Sequence, residues 1–399
     1  MKLTGFEILH ADGGWRVLSF LKATTDEGIT GWAEFNESYG SAGLSAVIMA
    51  LGQHLVGKDP RPVERHSAML DARTRQAPGG VNQQAIAAIE NALLDIKARA
   101  LGVRVCELFG GPVREELRLY WSHCGTYLLG HADLIGQPPL TSLADVETLG
   151  ARVRAEGFTA LKTNIFLFDG ERPQLYMPGF GVGASSPQLS PDLSVERALR
   201  AQVEAFRAGA GPDVEILVDL NFNYRPEGYR RIVRALDDLG LMWAEIDLFD
   251  ATALAGIREA VSTPIASCES LYRRREFKPF FERRAVDVCI IDVVWNGLAE
   301  SLKIATMADA YEINVAPHNF YGHLSTLHSA HFSATVPNFR VMEIDVDEVP
   351  WKDDLVTTVP AIRDGKLVLP KEPGWGTEVN EEAVRAHPPR PSTDRHWTN

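Results

Sequence analysis

The chain has 399 residues, of which 45% are hydrophobic and 23% charged, with a formal net charge of −13; this is the composition of a globular protein with room for one large domain or two ordinary ones. The acidic balance offers no basic stripe for phosphates and so argues against a nucleic-acid partner, but a small anionic substrate remains open if a local cation, such as a bound metal, receives it. No apolar run reaches membrane-spanning length and "MKLTGFEILHADGG" carries no cleavable signal pattern, so no membrane partner and a cytoplasmic location are expected.

The first elements read as α+β. "FEILHA" and "WRVLSFLKATT" are strand-like, "DEG" at 26–28 is a hairpin turn, and "ITGWAEF" is a third strand. Helical patterns follow in "GLSAVIMALGQHLVG" and "VNQQAIAAIENALLDIKARALG", the second read as a strongly amphipathic helix ended by Gly102. "LFGGPVR" breaks the chain near residue 112.

Beyond this break, strands alternate with helices. Eight strands are expected: "LRLYWSHCG", "FTALKTNIF", "VEILVDL", "LMWAEID", "TPIASCE", "VDVCIIDVV", "EINVAPH" and "FRVMEID". Helical patterns such as "PEGYRRIVRALDDLG" and "AESLKIATMADAYE" separate most of them. Repeated βα units without a glycine-rich nucleotide loop after the first strand predict an α/β barrel rather than a doubly wound sheet. The segment 167–194, rich in Gly, Pro and Ser, follows the second barrel strand. It is read as a lid at the active-site face, with a decorative or disordered insertion as the alternative. From about 346 the tail is expected to be irregular, with "PRPSTDRHW" loosely held. The four cysteines (Cys106, Cys124, Cys268, Cys289) lack paired-ligand spacing and are expected to be free, buried thiols.

The strand ends carry the chemistry. Asp219, Glu245, Glu269, Asp292, His318 and Glu343 close successive strands at intervals of 26, 24, 23, 26 and 25 residues, each about one βα unit. A barrel delivers such residues to one rim. Asp219, Glu245 and Glu269 would repel one another without a cation, and an all-oxygen set with open positions suits Mg²⁺. Asp292 and His318 lie on adjacent strands, where a carboxylate fixes the imidazole tautomer and raises its basicity; His318 is therefore a candidate general base. His323, His328 and His331 fall on the following helix and read as packing or surface residues. Inside the short apolar stretch "TALKTNIF", Lys162 and Asn164 point to one side. A buried lysine is costly unless used, and Lys162 is placed beside the metal, facing an anionic substrate. A metal, a lysine and a His–Asp pair can remove a proton next to a carboxylate and hold the resulting enediolate.

These residues resemble the enolase superfamily, in particular the mandelate racemase/muconate lactonizing enzyme branch and its acid-sugar dehydratases. In the first part the resemblance rests on "EGITGWAE", "LVGKDP" and "AIAAIENALLDIKARALGVRVCELFGG". In the barrel it rests on "LVDLN", "WAEID", "CES", "IIDVVWNG" and "APHNFYG". It implies a modified TIM barrel, (β/α)₇β, at 116–345 with its lid at about 167–194, under an N-terminal α+β capping domain at 1–115 that the segment 346–399 rejoins. It also implies Mg²⁺ on Asp219, Glu245 and Glu269, an Asp292–His318 acid/base dyad, and Glu343 as a hydrogen-bonding partner of the substrate. An even-numbered homo-oligomer is the family expectation.

Three departures matter. Racemases of this branch carry Lys-x-Lys on the second barrel strand, but here Asn164 replaces the second lysine, as in galactonate- and gluconate-type dehydratases. The position two residues after the first metal ligand, a histidine acid in some of those enzymes, is Asn221. The usual "EEP" is Glu245-Ile246-Asp247. One strong base suits a β-elimination, so dehydration of a sugar acid to a 2-keto-3-deoxy acid is expected. The general acid would be His318 itself or a lid group such as Tyr176. An epimerase, racemase or cycloisomerase, or a metal-binding barrel without turnover, are the alternatives. Specificity is expected from the cap loop "DGGWR", including Trp15 and Arg16, from Tyr39, and from the lid.

Overall fold

The computed structural model describes every residue except 169, 171, 182–188 and 391–399. Strands β1 (Leu3–Asp12), β2 (Val17–Thr25) and β3 (Thr30–Phe35) form an antiparallel sheet in that order. The second turn closes at Gly28, whose φ of 79° suits a residue without Cβ. Helices α1 (Leu44–Gly52) and α3 (Gly80–Leu101) cover the sheet, and α2 (Val63–Arg73) packs on α3. Helix α2 lies in a stretch where no helix was expected. Gly102 caps α3 in the left-handed conformation, as predicted. The expected one-sided amphipathicity of α3 is corrected: most of its residues are buried, because β3 packs on one side and barrel elements on the other. The approach to β3 is close enough that a Cβ on Gly31 would lie 2.2 Å from the Ala92 carbonyl oxygen.

The barrel follows as β4 (Glu116–Ser122), α4 (Ala132–Ile135), α5 (Leu143–Ala155) and β5 (Ala160–Thr163). After β5 a short hairpin, β6 (Phe166–Leu167) and β7 (Gln174–Leu175), precedes α6 (Leu193–Ala210). Then come β8 (Glu215–Asp219), α7 (Pro226–Arg234), β9 (Trp243–Glu245), α8 (Ala251–Arg258), β10 (Ile265–Ser267), α9 (Arg273–Glu282) and β11 (Val288–Asp292). The short α10 (Val293–Asn296), α11 (Leu298–Asp309), β12 (Asn314–His318), α12 (His323–Thr335) and β13 (Met342–Asp345) complete it. Parallel pairing runs β4, β5, β8, β9, β10, β11, β12; β13 pairs with β4, and a Val315–Phe339 bridge brings β12 to the start of β13. These are the eight strands expected from the sequence, closed into a modified TIM barrel.

Two shells of apolar side chains hold the barrel. The outer shell lies between strands and helices. The inner one, with Tyr120, Ala160, Leu217, Trp243, Ala266, Ile290 and Ala316, fills the interior below the site; large and small side chains alternate around a narrow tube.

The tail is not irregular as expected. Strands β14 (Ala361–Arg363) and β15 (Lys366–Val368) form a hairpin that extends the β4 edge, and α13 (Glu381–Ala386) packs on β1. Between them Trp375 is buried, donating its indole N–H to the Trp32 carbonyl. The segment therefore ties barrel to cap, a role that tertiary pairing confers and local pattern does not reveal. Of "PRPSTDRHW", residues 391–397 lie outside the described residues. All four cysteines are free and buried, as expected. Among the described residues, no helix is long and apolar enough to cross a membrane. On these elements we propose the division at about residues 115 and 345.

Candidate active site

The strand ends converge around one cavity of about 160 Å³ at the C-terminal rim, which Lys162, Asp219, Glu269 and His318 line. Parallel register sets two of the pairs directly: Asp219 stands opposite Glu245, and Asp292 opposite His318. Lys162 lies one residue before the end of β5 and is 2% exposed. Its ammonium is 3.1 Å from both Glu245 carboxylate oxygens, 2.9 Å from Glu343 Oε1 and 3.5 Å from Asp219 Oδ2. The Tyr120 ring lies 5.4 Å below it. Burial alone would lower the Lys162 pKa, but Glu245 and Glu343 outweigh it and hold the ammonium well above its usual value. Glu343 is kept ionised at about 2: burial opposes this, but Lys162 and His318 prevail, helped by the Ser122 hydroxyl, and the Asn319 amide also donates to it.

His318 Nδ1 lies 2.7 Å from Asp292 Oδ2, which also accepts the Tyr321 hydroxyl at 2.6 Å; the Trp295 amide donates to Oδ1. His318 Nε2 faces Glu269 at 3.5 Å. Burial disfavours the imidazolium, yet Glu269 and Asp292 together raise the His318 pKa well above 6.5.

The carboxylate set has a fourth member. Asp247 is buried beside Glu269 and Asp219, and its Oδ2 has no hydrogen-bond partner. Burial first, then neighbouring carboxylates, push Glu245 and Asp247 well above the usual range. Among the described residues no three such groups stand close enough to hold a metal as they are; the Lys162 ammonium is the cation facing them. The donor chemistry is still that of a hard divalent ion: oxygens only, mutually repelling, with one orphaned.

The sequence-predicted residues divide sharply. Lys162, Asp219, Glu269, His318, Asn221 and Tyr39 line the cavity. Glu245, Glu343 and Asp292 contact the lining groups from behind. Asn164 is buried one layer back, donating to Asn221 Oδ1 and accepting from the Thr126 hydroxyl. Three others lie outside this lining. Trp15 and Arg16 do not line the cavity: Trp15 stacks on Tyr127 at 4.2 Å, and Arg16 is sealed against Asp345 and Glu348. Buried apolar and charge-paired contacts hold the cap loop at this place. Tyr176 is also outside the lining; its charged and phenolic neighbours are Asp192 and Tyr224, while Met177 and Phe180 reach the cavity from the lid.

The sequence reading missed His123, Tyr127, Phe222, Trp295 and Phe320, all lining residues. His123 carried a signal, because it follows the first barrel strand just as the carboxylates follow theirs. The aromatic ones come from loops with no readable pattern. Non-glycine residues at positive φ gather here: His123 (45°), Asn221 (44°), Cys268 (96°) and Tyr39 (56°). Such strain concentrates where a side chain must be aimed.

Residues 14–110 match the family described as mandelate racemase/muconate lactonizing enzyme, N-terminal domain, and residues 145–383 match that described as enolase C-terminal domain-like. A D-xylonate dehydratase of Haloferax volcanii is 27% identical, covering 97% of this chain and 89% of its own. A D-galactonate dehydratase of Ralstonia nicotianae is 28% identical, covering 96% and 94%. Among solved structures, a candidate L-alanine-DL-glutamate epimerase of Burkholderia xenovorans, bound to magnesium and fumarate, is 50% identical, with a TM-score of 0.97 over 99% of this chain and 98% of that one. A mandelate racemase/muconate lactonizing enzyme-like protein of Rubrobacter xylanophilus is 31% identical, with a TM-score of 0.82 over 97% of each.

Proposed function

The chain belongs to the mandelate racemase/muconate lactonizing enzyme branch of the enolase superfamily, and from that premise we propose that it removes the proton α to a carboxylate and then expels a β-hydroxyl, dehydrating a sugar acid to a 2-keto-3-deoxy acid. The observation that carries this reading is the His318–Asp292 dyad sharing one small cavity with the Lys162 ammonium.

Asp292 accepts from His318 Nδ1, which fixes the tautomer and aims Nε2 at the cavity. Nε2 is the atom that takes the α-proton. Lys162, fixed by Glu245 and Glu343, places positive charge where the substrate carboxylate becomes an enediolate. Asp219, Glu245 and Glu269 would hold Mg²⁺, which supplies charge for the substrate carboxylate and withdraws the pull of Glu269 on His318. The dehydratase relatives and the magnesium-bound neighbour support this assignment.

Epimerisation is the second reading, favoured by the name of the 50% identical neighbour. It requires a second group that gives a proton at the opposite face of the α-carbon, and Asn164, standing where racemases of this branch carry their second lysine, offers none.

The test is incubation with Mg²⁺ in D₂O of D-xylonate, D-galactonate, four-carbon dihydroxy acids and L-Ala-L-Glu. α-Deuterium incorporation and 2-keto acid release are read together. Dehydration gives keto acid that carries solvent deuterium at C3, with α-deuterium confined to recovered substrate; epimerisation gives α-deuterium in the inverted product without keto acid. His318→Asn should lower exchange by about 10²–10⁴-fold, and unchanged exchange would sink the assignment of the base.

A further inference from the structure

The cavity holds a second histidine–carboxylate pair. His123 follows β4, and its Nδ1 lies 2.8 Å from Oδ1 of Asp345, the last residue of β13. With Nδ1 engaged, Nε2 is the ring nitrogen left to the cavity, which His123 lines together with His318 and Lys162. Both imidazoles contact the Phe320 ring, His318 at 5.0 Å and His123 at 6.0 Å between centroids.

Asp345 is fully committed to this arrangement. Its Oδ2 accepts from the Tyr127 hydroxyl at 2.9 Å and from Arg16 at 3.1 Å. Trp15, Tyr127 and His123 form a stacked column with centroid spacings of 4.2 and 5.1 Å. The cap loop thus holds the barrel pair in place. A histidine kept for packing alone needs neither a strained φ of 45° nor a buried carboxylate braced by an arginine from the cap.

Resting on the dehydration reading above, we propose that His123 is the general acid that protonates the departing β-hydroxyl, with Asp345 and Tyr127 as its positioning residues. His318 Nε2 takes the α-proton, and the C–H electrons form the enediolate. That electron pair then makes the C2=C3 bond as the C3–O bond breaks, and the oxygen leaves as water with the proton from His123 Nε2. The enol ketonises by taking a proton at C3 and losing its O–H proton, His318 releases the α-proton to solvent, and His123 is reprotonated from solvent. No oxidant or reductant is needed. Separate acid and base also explain why neither Asn164 nor Asn221 has to move a proton.

The experiment compares wild type with His123→Asn and His123→Gln on D-xylonate, D-galactonate, threonate and erythronate with Mg²⁺. α-Deuterium exchange and keto acid release are measured separately, and the 3-deoxy-3-fluoro analogues are run in parallel. Fluoride departs with far less need of an acid. The expected result is a loss of about 10²–10⁴-fold in keto acid release, total α-proton abstraction (exchange plus elimination) within about threefold of wild type, and recovery of elimination on the fluoro analogue. Asp345→Asn should lower kcat with KM little changed, and the same analogue should rescue it. Keto acid release unchanged in both His123 variants would overturn the proposal, as would loss of exchange in the folded variants or failure of the fluoro rescue. A wild type that neither exchanges nor eliminates on any of these acids would instead overturn the dehydration reading, and this inference with it.

Discussion

Glu90 on α3 supports the seat of the cap on the barrel, and its charge state should make that seat pH-dependent. It is 4% exposed; its Oε1 accepts from the Ala299 amide in the first turn of α11, and its Oε2 from the Ser67 hydroxyl, both at 2.9 Å. The fit leaves no slack, since a Cβ on Gly297 would sit 2.4 Å from Glu90 Oε1. Burial, against the pull of those two donors, pushes the Glu90 carboxyl from 4.5 up to about 7. The folded protein therefore keeps a proton that the unfolded chain releases near 4.5. Its contribution is fully present below that pH and is lost as pH rises through about 7. A rise from 4.5 to about 7, at about 1.4 kcal/mol per unit, is worth about 3 kcal/mol. Glu90→Gln keeps an oxygen for the Ala299 amide and removes the ionisation. Urea unfolding at pH 5 and pH 8 should show wild type losing about 2.5 kcal/mol more than Glu90→Gln across that interval, since the unfolded carboxyl is already mostly ionised at pH 5. Glu34, Asp95 and Asp347, each held at about 6 by burial, remain in both proteins, so the difference isolates Glu90. Parallel pH dependence in the two proteins would refute the argument.

Lys162→Met should cost about 3–5 kcal/mol, because it leaves Glu245 and Glu343 buried without their cation. Thermal unfolding measures it, and added Mg²⁺ should recover more stability in the variant than in wild type; equal Mg²⁺ responses would count against metal ligation by this carboxylate set. The small cavity, about 160 Å³ and walled by Tyr39, Met177, Phe180, Phe222, Trp295 and Phe320, should prefer four-carbon to six-carbon acids. Competition calorimetry reads that order, and Phe222→Ala should narrow or reverse it; six-carbon preference in wild type would contradict the reading.

The sequence revealed the barrel because its code is periodic: one ionisable residue per βα unit, each at a strand end, at near-constant spacing. Register then placed Asp219 against Glu245 and Asp292 against His318 with no further information. What stayed hidden was what depends on approach from elsewhere in the chain. Arg16 and Trp15 sit in a cap loop that suggested specificity, yet from outside the cavity they brace Asp345 and the lining Tyr127. The tail hairpin exists because β4 has a free edge at Glu116–Arg118, a fact about the barrel and not about residues 361–368. The aromatic lining is delivered by loops whose local sequence is silent about direction. Asp345 could have been noticed: it lies two residues past Glu343 on a strand, so both point inward.

The choice between elimination and epimerisation turns on how many groups in the cavity can exchange protons, and on which face. Lys162 is surrounded by Glu245, Glu343 and Asp219, an environment that favours the ammonium and denies it the role of base. A racemising pair needs two groups that each give and take a proton at the same carbon. In this cavity the two imidazoles, each with one nitrogen anchored to its own carboxylate, are the groups built to do so, but they hang from opposite neighbours of β13: His318 on β12 and His123 just past β4. That separation suits two reaction centres on one substrate, an α-carbon and a β-oxygen, better than two faces of a single carbon. Asn164, held one layer back by Thr126 and Asn221, is then not a lost base but a fixed amide behind a site whose proton traffic runs elsewhere.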